Sequence, residues 1–218
     1  MRAPGGCAWD REQTHESLVR HLLEEAYELV DAIEAGSRDE IIEELGDVLY
    51  QVIFHADIAA HAGAERFDLE DVAARMTAKM IGRHPHVFGD ATAETADDVV
   101  AAWDALKAVE KPGRTSVLDG IPQAMPSLLL AEKLLGRADR VGVAVSRGGM
   151  VADGAAGGSG RESGTGARID SETDLGRALL ALVASARDRG LDAERALRGA
   201  LKELQEEIRD AECERRGA

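Results

Sequence analysis

Apolar residues recur every three or four positions through two neighbouring segments near the start of the chain. The first segment covers 14–35 and ends at Gly36, a residue type that favours helix termination. The second begins after Ser37, which pairs with Glu40 in a helix-capping pattern, and continues to about residue 62. Because so few residues separate the two segments, the pattern predicts an antiparallel helical hairpin.

The same periodicity predicts the buried face of each of these two helices. On the first helix the expected core positions are Leu18, Leu22, Ala26, Leu29, Val30 and Ile33. On the second helix they are Ile41, Leu45, Val48, Leu49, Val52, Ile53 and Ala56.

Further helical patterns follow along the chain, separated by proline and glycine. Pro85 disfavours helix at the residue before it, and a Lys-Pro-Gly run breaks the chain again at 111–113. Additional helices are therefore expected over 68–81, 96–110, a segment carrying Leu128 to Leu135, 175–189 and 193–213.

The pattern divides the chain into three regions. A first helical module spans 1–145, a Gly-rich linker spans 146–170, and a further pair of helices spans 171–218. The linker has almost no large apolar side chains, so burial cannot repay the entropy of ordering it, and we expect it to be flexible. Only 3% of the residues are aromatic, which disfavours sheet, and the expected fold is all-α.

Charge and cysteine content narrow the classes of function. The chain has 26 Lys and Arg against 41 Asp and Glu, a formal charge of −15, which argues against a nucleic acid polymer as a partner. A bound polyanion must come with a metal or meet a local basic cluster. Cys7 and Cys213 lack zinc-site or disulfide spacing. Neither a signal peptide nor an apolar stretch of about 20 residues is present, so we expect a cytoplasmic protein without membrane contact.

The predicted hairpin is unusually acidic along part of its length. Ten acidic side chains lie between His21 and Asp47, while Arg38 is the one Lys or Arg there. An ordinary solvated helix face interleaves cations at four-residue spacing, and this segment does not. Clustered carboxylates at a partly buried edge have raised pKa values unless a cation neutralises them. A magnesium ion, which takes carboxylates, waters and substrate phosphates together, is the natural candidate, and it indicates a diphosphate or triphosphate substrate.

Cationic and aromatic residues that suit such a substrate follow the hairpin. Lys79, Arg83, His84 and His86 form a basic cluster that can bind phosphate, although cations at a helix C-terminus can equally complement its dipole. Trp103 and Lys107 are one helical turn apart, so they can stack on a base and reach a phosphate, while a lone Trp is more often a core residue.

At this point the chain resembles the MazG-type nucleoside triphosphate pyrophosphohydrolases of the all-α NTP pyrophosphatase superfamily. The family signature EExxE followed by ExxD is matched by residues 24–28 and 44–47, and the strings CAWDREQTHESL, RHPHVFGD and SVLDGIP are also similar. The resemblance covers most of residues 7–145. It implies a four-helix module that pairs as a homodimer and hydrolyses an NTP or dNTP to the monophosphate and pyrophosphate, a nucleotide-pool house-cleaning reaction.

The resemblance also implies roles for particular residues. The magnesium ligands, and hence the catalytic residues, would be Glu25, Glu28, Glu44 and Asp47, with the adjacent Glu24 and Glu43 as additional candidates and Mn²⁺ as a substitute ion. The residues near the nucleotide would be Lys79, Arg83, His84, Trp103 and Lys107.

The C-terminal helices resemble the remains of a second module. Residues 174–180 are similar to 44–50, but Arg177 stands where the first module has Asp47, and no EExxE precedes it. We therefore expect 171–218 to be a degenerate, catalytically silent helical hairpin that acts in packing or dimerisation, if at all. A generic helical hairpin is the alternative.

Two other functions fit the same residues. One is a narrower pyrophosphatase acting on dUTP, dCTP or phosphoribosyl-ATP, since the same carboxylates would serve. The other is a non-catalytic helical interaction or regulatory module with an acidic surface. The second is disfavoured because every acidic position of EExxE and ExxD is acidic here.

Overall fold

A computed structural model describes residues 1–111, 113–145 and 169–217 of the chain. Every regular element in these ranges is helical, so the expected all-α class is confirmed. The helices are α1 (Ala8–Glu12), α2 (Val19–Ala35), α3 (Arg38–Ala60), α4 (Leu69–Arg83), α5 (Pro85–Phe88), α6 (Ala96–Glu110), α7 (Ser127–Arg140), α8 (Glu172–Asp188) and α9 (Ala193–Gly217), with a 3₁₀ turn at Gly63–Glu65. The chain forms two compact units, Met1–Pro112 and Gly113–Ala218.

A two-residue link turns α2 back onto α3 and produces the expected hairpin. Gly36 adopts a left-handed conformation with φ 74°, and its N–H bonds to the carbonyl oxygens of Ala32 and Ile33. The Ser37 hydroxyl then accepts a hydrogen bond of 3.4 Å from the Glu40 N–H and caps α3. α2 and α3 pack against each other along their lengths.

α2 begins at Val19 and not at Thr14 as the periodicity indicates. Thr14 N–H donates to the Ser17 hydroxyl, and Ser17 N–H donates to the Thr14 hydroxyl. These local side-chain bonds offer the backbone an alternative to the helix, so residues 15–18 form turns. Leu18 is nevertheless almost fully buried, as the pattern predicts.

The expected burial of α3 is only partly correct for the single chain. Ala56 is buried, but Leu45, Leu49, Val52 and Ile53 are exposed, with Leu49 at 56%. Gln51 and Phe54 are buried instead. The apolar positions of α3 extend around more of the helix than its neighbours in the first unit cover, which leaves a second apolar side open.

α4, α5 and α6 complete the first unit, and α4 packs against α3, α5 and α6. Asp68 caps α4 by accepting hydrogen bonds from Glu70 N–H and Asp71 N–H, and the Asp71 side chain returns a bond to Asp68 N–H. α4 ends at Arg83, two residues later than the sequence pattern indicates, and Pro85 opens the short helix α5.

In the second unit, α7 packs against both α8 and α9. Its core contains Leu135 of α7 with Val183 and Ala184 of α8, and Arg187 forms an ion pair with Asp139. The expected division at 145 and 171 stays a prediction, and most of the predicted linker lies outside the described residues.

None of the helices in the described part of the chain is long and apolar enough to cross a membrane.

Candidate metal and nucleotide site

Three carboxylates from α2 and α3 converge where the two helices pack. Glu25 and Glu28 project from one face of α2, three residues apart, and Glu44 projects from α3. One carboxylate oxygen of each lies within 4.8 Å of the others. These side chains are three of the four expected metal ligands, and the hairpin brings them into one group, here called the acidic group.

The surroundings of the acidic group oppose its ionisation. Loss of solvent raises the pKa of Glu25, and the negative charges of Asp47 and Glu28 raise it further. The pKa of Glu44 is raised first by loss of solvent and then by the charges of Glu28, Asp47, Glu43 and Glu25. The fourth expected ligand, Asp47, thus lies close enough to act on both glutamates, although it is outside the group of three.

The acidic group also contains an oxygen that no protein atom satisfies. Glu44 Oε2 is buried and has no hydrogen-bond partner. Buried polar atoms are normally paired with protein, water or an ion, so this oxygen is suited to an added cation. All donors in the group are carboxylate oxygens, the ligand type that Mg²⁺ prefers. The residues present therefore fit a divalent ion.

The structure places the two additional candidates outside the acidic group. Glu24 forms an ion pair with Arg20 at 3.3 Å, and its Oε2 lies 3.1 Å from His21 Nδ1, both partners being on α2. Glu43 is exposed and acts on Glu44 through its charge. Glu24 is thus already paired by its own helix, whereas Glu43 belongs to the electrostatic surroundings of the acidic group.

Gln51 is a contributor that sequence analysis did not identify. It is 6% exposed, and its Nε2 lies 3.5 Å from Glu25 Oε1, at the long limit of a hydrogen bond. This donor acts against the other influences and lowers the pKa of Glu25. The available signal was a polar residue one helical turn after Asp47 within an apolar stripe.

The expected phosphate-binding cations lie on α4 and border a cavity between α4 and α6. Arg75, Lys79 and Arg83 follow one another at four-residue spacing, so they share one face of α4, and Lys111 adds a fourth cation. The cavity has a volume of about 650 Å³. Arg83 forms a two-point ion pair with Glu110, with its Nε 2.7 Å from Oε1, so the cavity also contains one carboxylate.

The other three expected nucleotide contacts form a separate cluster with α6. The rings of Trp103 and His84 are nearly perpendicular, with a centroid distance of 6.0 Å, and Lys107 Nζ lies 4.9 Å from the centre of the Trp103 ring system. His84 Nδ1 lies 2.6 Å from the Met80 carbonyl oxygen, so this nitrogen carries the proton. Because Lys107 covers one face of the indole, a stacked base would use the other face or displace this lysine.

The N-terminal segment adds a pair of stacked histidines. His15 and His55 lie with their Nδ1 atoms 2.8 Å apart and their rings parallel within 2°. Loss of solvent, and then the charge of His15, lower the pKa of His55 from its ordinary value of 6.5. One Nδ1–H therefore donates a hydrogen bond to the other Nδ1, which links His15 to α3.

Comparison with known proteins identifies the family. The profile of the MazG nucleotide pyrophosphohydrolase domain matches residues 13–88, which include the acidic group and Lys79 and Arg83. An uncharacterised 26.1 kDa protein of Streptomyces cacaoi is 47% identical over 206 residues, covering 94% of this chain and 76% of that protein.

Two named enzymes are also similar. The nucleoside triphosphate pyrophosphohydrolase of Escherichia coli K12 is 42% identical over 145 residues, and the nucleoside triphosphate pyrophosphohydrolase/pyrophosphatase MazG of Thermotoga maritima is 46% identical over 143 residues. Each match covers 65% of this chain and 54% of the relative, so the chain spans about half the length of these enzymes.

The fold and the acidic group define a class of all-helical proteins with carboxylates gathered on a helical hairpin. The chain belongs to the MazG nucleotide pyrophosphohydrolase family. The enzyme class and the family resemblance deduced from the sequence are thereby confirmed.

Proposed function

We propose that this chain hydrolyses nucleoside and deoxynucleoside triphosphates to the monophosphate and pyrophosphate with Mg²⁺ held by Glu25, Glu28, Glu44 and Asp47. The observation that carries the proposal is the approach of three carboxylates within 4.8 Å, one of them with a buried, unpartnered oxygen. Negative groups at such distances repel each other, and a divalent cation removes that cost. The Escherichia coli and Thermotoga maritima relatives are named nucleoside triphosphate pyrophosphohydrolases, which supports the same reaction.

The proposed magnesium would supply the central chemistry. When bound, such an ion offsets the charge that develops on phosphate oxygens and lowers the pKa of a water. Mn²⁺ accepts the same oxygen ligands and is the proposed substitute.

The side chains of the chain itself would bind and orient the substrate. The packing of α2 against α3 holds the carboxylates at fixed positions, so little reorganisation is needed when substrate arrives. Lys79 would neutralise phosphate charge, and Arg83 would donate N–H groups to phosphate oxygens, on a chain whose net charge is −15. Trp103, with the His84 ring nearly perpendicular to it and Lys107 over one face, offers an aromatic surface for the base.

A role in clearing unwanted nucleotides from the pool, in the cytoplasm, accompanies this proposal. The reaction consumes a triphosphate and releases two products that polymerases cannot incorporate. A panel of nucleotide substrates identifies the triphosphates on which this role would depend.

We also propose that the first unit pairs with a second copy of this chain. Large apolar side chains on α2 and α3 are exposed at helical spacing, including Leu23, Tyr27, Ile42, Leu45 and Leu49. Contiguous apolar surface of this kind usually marks an interface. Sedimentation at micromolar concentration should give twice the chain mass, whereas Leu45→Glu with Leu49→Glu should give a folded single chain.

The decisive experiment measures both products from a panel of standard and modified NTPs and dNTPs. We expect equimolar monophosphate and pyrophosphate in the presence of Mg²⁺, no reaction in EDTA and recovery when excess Mg²⁺ is added. Release of orthophosphate and a diphosphate would contradict the proposed bond cleavage. Absence of metal-dependent release from every nucleotide would favour the non-catalytic interaction module.

A further inference from the structure

The cavity between α4 and α6 contains a carboxylate among cations. Arg75, Lys79, Arg83 and Lys111 give it the positive character that a polyphosphate requires, yet Glu110 borders it as well. A negative side chain beside an anion site weakens binding unless it is neutralised or has another use. The contacts of Glu110 indicate that its charge is neutralised and that the side chain also has another use.

Glu110 engages Arg83 through two points of contact. Arg83 Nε lies 2.7 Å from Oε1 and Nη2 lies 2.5 Å from Oε2, the parallel geometry in which a guanidinium and a carboxylate bind most strongly. The Arg83 side chain is only 11% exposed. Because a guanidinium has five N–H groups, this ion pair leaves three of them for another acceptor.

The charges around Glu110 keep it ionised. A hydrogen bond from Arg83, with the nearby charges of Arg83, Lys79 and Lys111, lowers the pKa of Glu110 below its ordinary value. The ion pair therefore neutralises the charge of Arg83, whereas the charges of Arg75, Lys79 and Lys111 remain to attract a ligand.

Arg83 is a residue whose side chain requires such support. It is the last residue of α4, it follows Gly82, and Pro85 prevents the helix from continuing. A long side chain at a helix end has about 2 kcal/mol of rotamer entropy to lose when it binds. Glu110 ends α6 and meets Arg83 from the facing helix, so the ion pair fixes the guanidinium before any ligand arrives.

We infer that Glu110 is a positioning residue, which holds the Arg83 guanidinium so that its three remaining N–H groups face a phosphate of the bound nucleotide. This inference rests on the proposed function, because the ligand it assigns to the cavity is the polyphosphate chain of the substrate. The alternative is that the ion pair with Glu110 blocks Arg83, so that phosphate must displace Glu110 before it can bind the guanidinium.

The test is calorimetric binding of inorganic tripolyphosphate to the full-length protein. Glu110→Gln keeps the size of the side chain and one acceptor but removes the charge that orients Arg83. We expect binding about tenfold weaker than that of the unsubstituted chain, the loss typical of one charged hydrogen bond. The matched control is Glu70→Gln, the same change in the first turn of α4, which should bind tripolyphosphate as the unsubstituted chain does. Unchanged or tighter binding by Glu110→Gln would overturn the inference.

A double variant separates positioning from a structural role. If Glu110 acts only through Arg83, then Glu110→Gln has no further effect on binding in a chain that already contains Arg83→Met, which has neither charge nor N–H donors at this side chain. Losses that simply multiply would show that Glu110 acts independently of Arg83 and would overturn the inference. If Glu110→Gln reduces helical content, the variant Glu110→Asp replaces it in the test. Its shorter acid should weaken tripolyphosphate binding while the circular dichroism spectrum stays the same. Equal binding by Glu110→Asp and the unsubstituted chain would overturn the inference.

Failure of this inference is distinguishable from failure of the proposed function. Tripolyphosphate binding requires no turnover, whereas the proposed function is judged by monophosphate and pyrophosphate from NTPs. A chain that binds tripolyphosphate through Arg83 and Glu110 but cleaves no NTP would retain the positioning role and lose the proposed reaction.

Discussion

Glu25 and Glu44 differ from the other acidic side chains of the hairpin in what surrounds them. Both are partly withdrawn from solvent, and both have their pKa raised by neighbouring carboxylates. Glu24, one residue from Glu25, instead pairs with Arg20 and His21. A one-residue step around the helix thus separates a carboxylate that has a neighbouring cation from one whose ionisation its neighbours oppose.

Replacing Glu44 with Ala should remove catalysis and leave the fold intact. Residues that merely orient a metal ligand change metal affinity by about 10- to 100-fold, so loss of a ligand should lower kcat/KM by at least about 100-fold. Circular dichroism should stay unchanged because Glu44 is not a core apolar residue. Glu40→Ala, one turn earlier on α3, is the control and should retain activity. Full activity in Glu44→Ala would exclude Glu44 as a required ligand.

The raised pKa values of Glu25 and Glu44 predict that the stability of the fold depends on pH in opposite ways with and without magnesium. Without the ion, the folded chain binds protons at these sites more tightly than the unfolded chain does. This contribution to stability is full below the ordinary glutamate pKa and is lost as the pH rises through the raised values. Magnesium binds the ionised forms, so its stabilising effect should grow over the same rise in pH.

Thermal unfolding between about pH 4 and pH 8, with and without Mg²⁺, measures this linkage. The increase in Tm caused by Mg²⁺ should be small at the acidic end and large at the neutral end. Glu25→Gln should move the transition, because it removes one of the two titrating groups. An increase in Tm that is independent of pH would contradict the assignment of the ion to these carboxylates.

Sequence could nominate Glu25, Glu28 and Glu44 because helical spacing gathers the acids of each helix on a common face and the resemblance to the family signature selects among them. It could not nominate Gln51 or Glu110. Gln51 reaches Glu25 across the hairpin, and Glu110 reaches Arg83 from another helix, so both contacts depend on tertiary packing. Which residues act as metal ligands stays a prediction until a binding experiment tests it.

At the scale of the element, the hairpin of α2 and α3 is the part that the sequence predicts best. Gly36 was expected to end α2 and Ser37 to cap α3, and both do so in the structure. The predicted start of α2 was wrong because the side chains of Thr14 and Ser17 accept hydrogen bonds from each other's backbone N–H groups. The short helices α1 and α5 were missed because one or two turns give too little periodicity to detect.

Gln51 joins α3 to α2, and its replacement tests that connection. Gln51→Leu keeps a similar volume but removes the donor that lowers the pKa of Glu25. Ionisation of Glu25 should then be harder, and the Mg²⁺ concentration for half-maximal activity should rise about tenfold. Gln51→Glu is the companion variant, since an added negative charge should shift the pKa of Glu25 further upward. Unchanged magnesium dependence in Gln51→Leu would show that the contact has no role in metal binding.

At the scale of the whole molecule, the chain consists of two compact units with different contents. Every expected ligand and nucleotide contact lies in Met1–Pro112. In the second unit, Arg177 occupies the position that resembles Asp47, and it pairs with Asp174 on the same helix. The sequence correctly placed helices here, while their packing with α7 was not foreseen because that interaction is long-range in the chain.

A fragment of residues 1–112 should retain the response to magnesium. A cut at 147 would remove Val183 and Ala184 from the core around Leu135, so the earlier cut is the cleaner test. Thermal unfolding of the fragment and of the full chain should show a similar increase in Tm with Mg²⁺. A fragment with native helical content and no response would mean that the second unit contributes to the metal site.

The two-residue connection between α2 and α3 also bears on how the chain acquires its structure. Because α2 and α3 are consecutive, only a short loop must close to bring their carboxylates together. The entropic cost of closing that loop is low, and the contact order is small. Local elements of this kind form early, and during synthesis the N-terminal part emerges first. Repulsion among the same acids opposes that early closure, so magnesium in the surrounding solution would act on the nascent hairpin as well as on the finished enzyme.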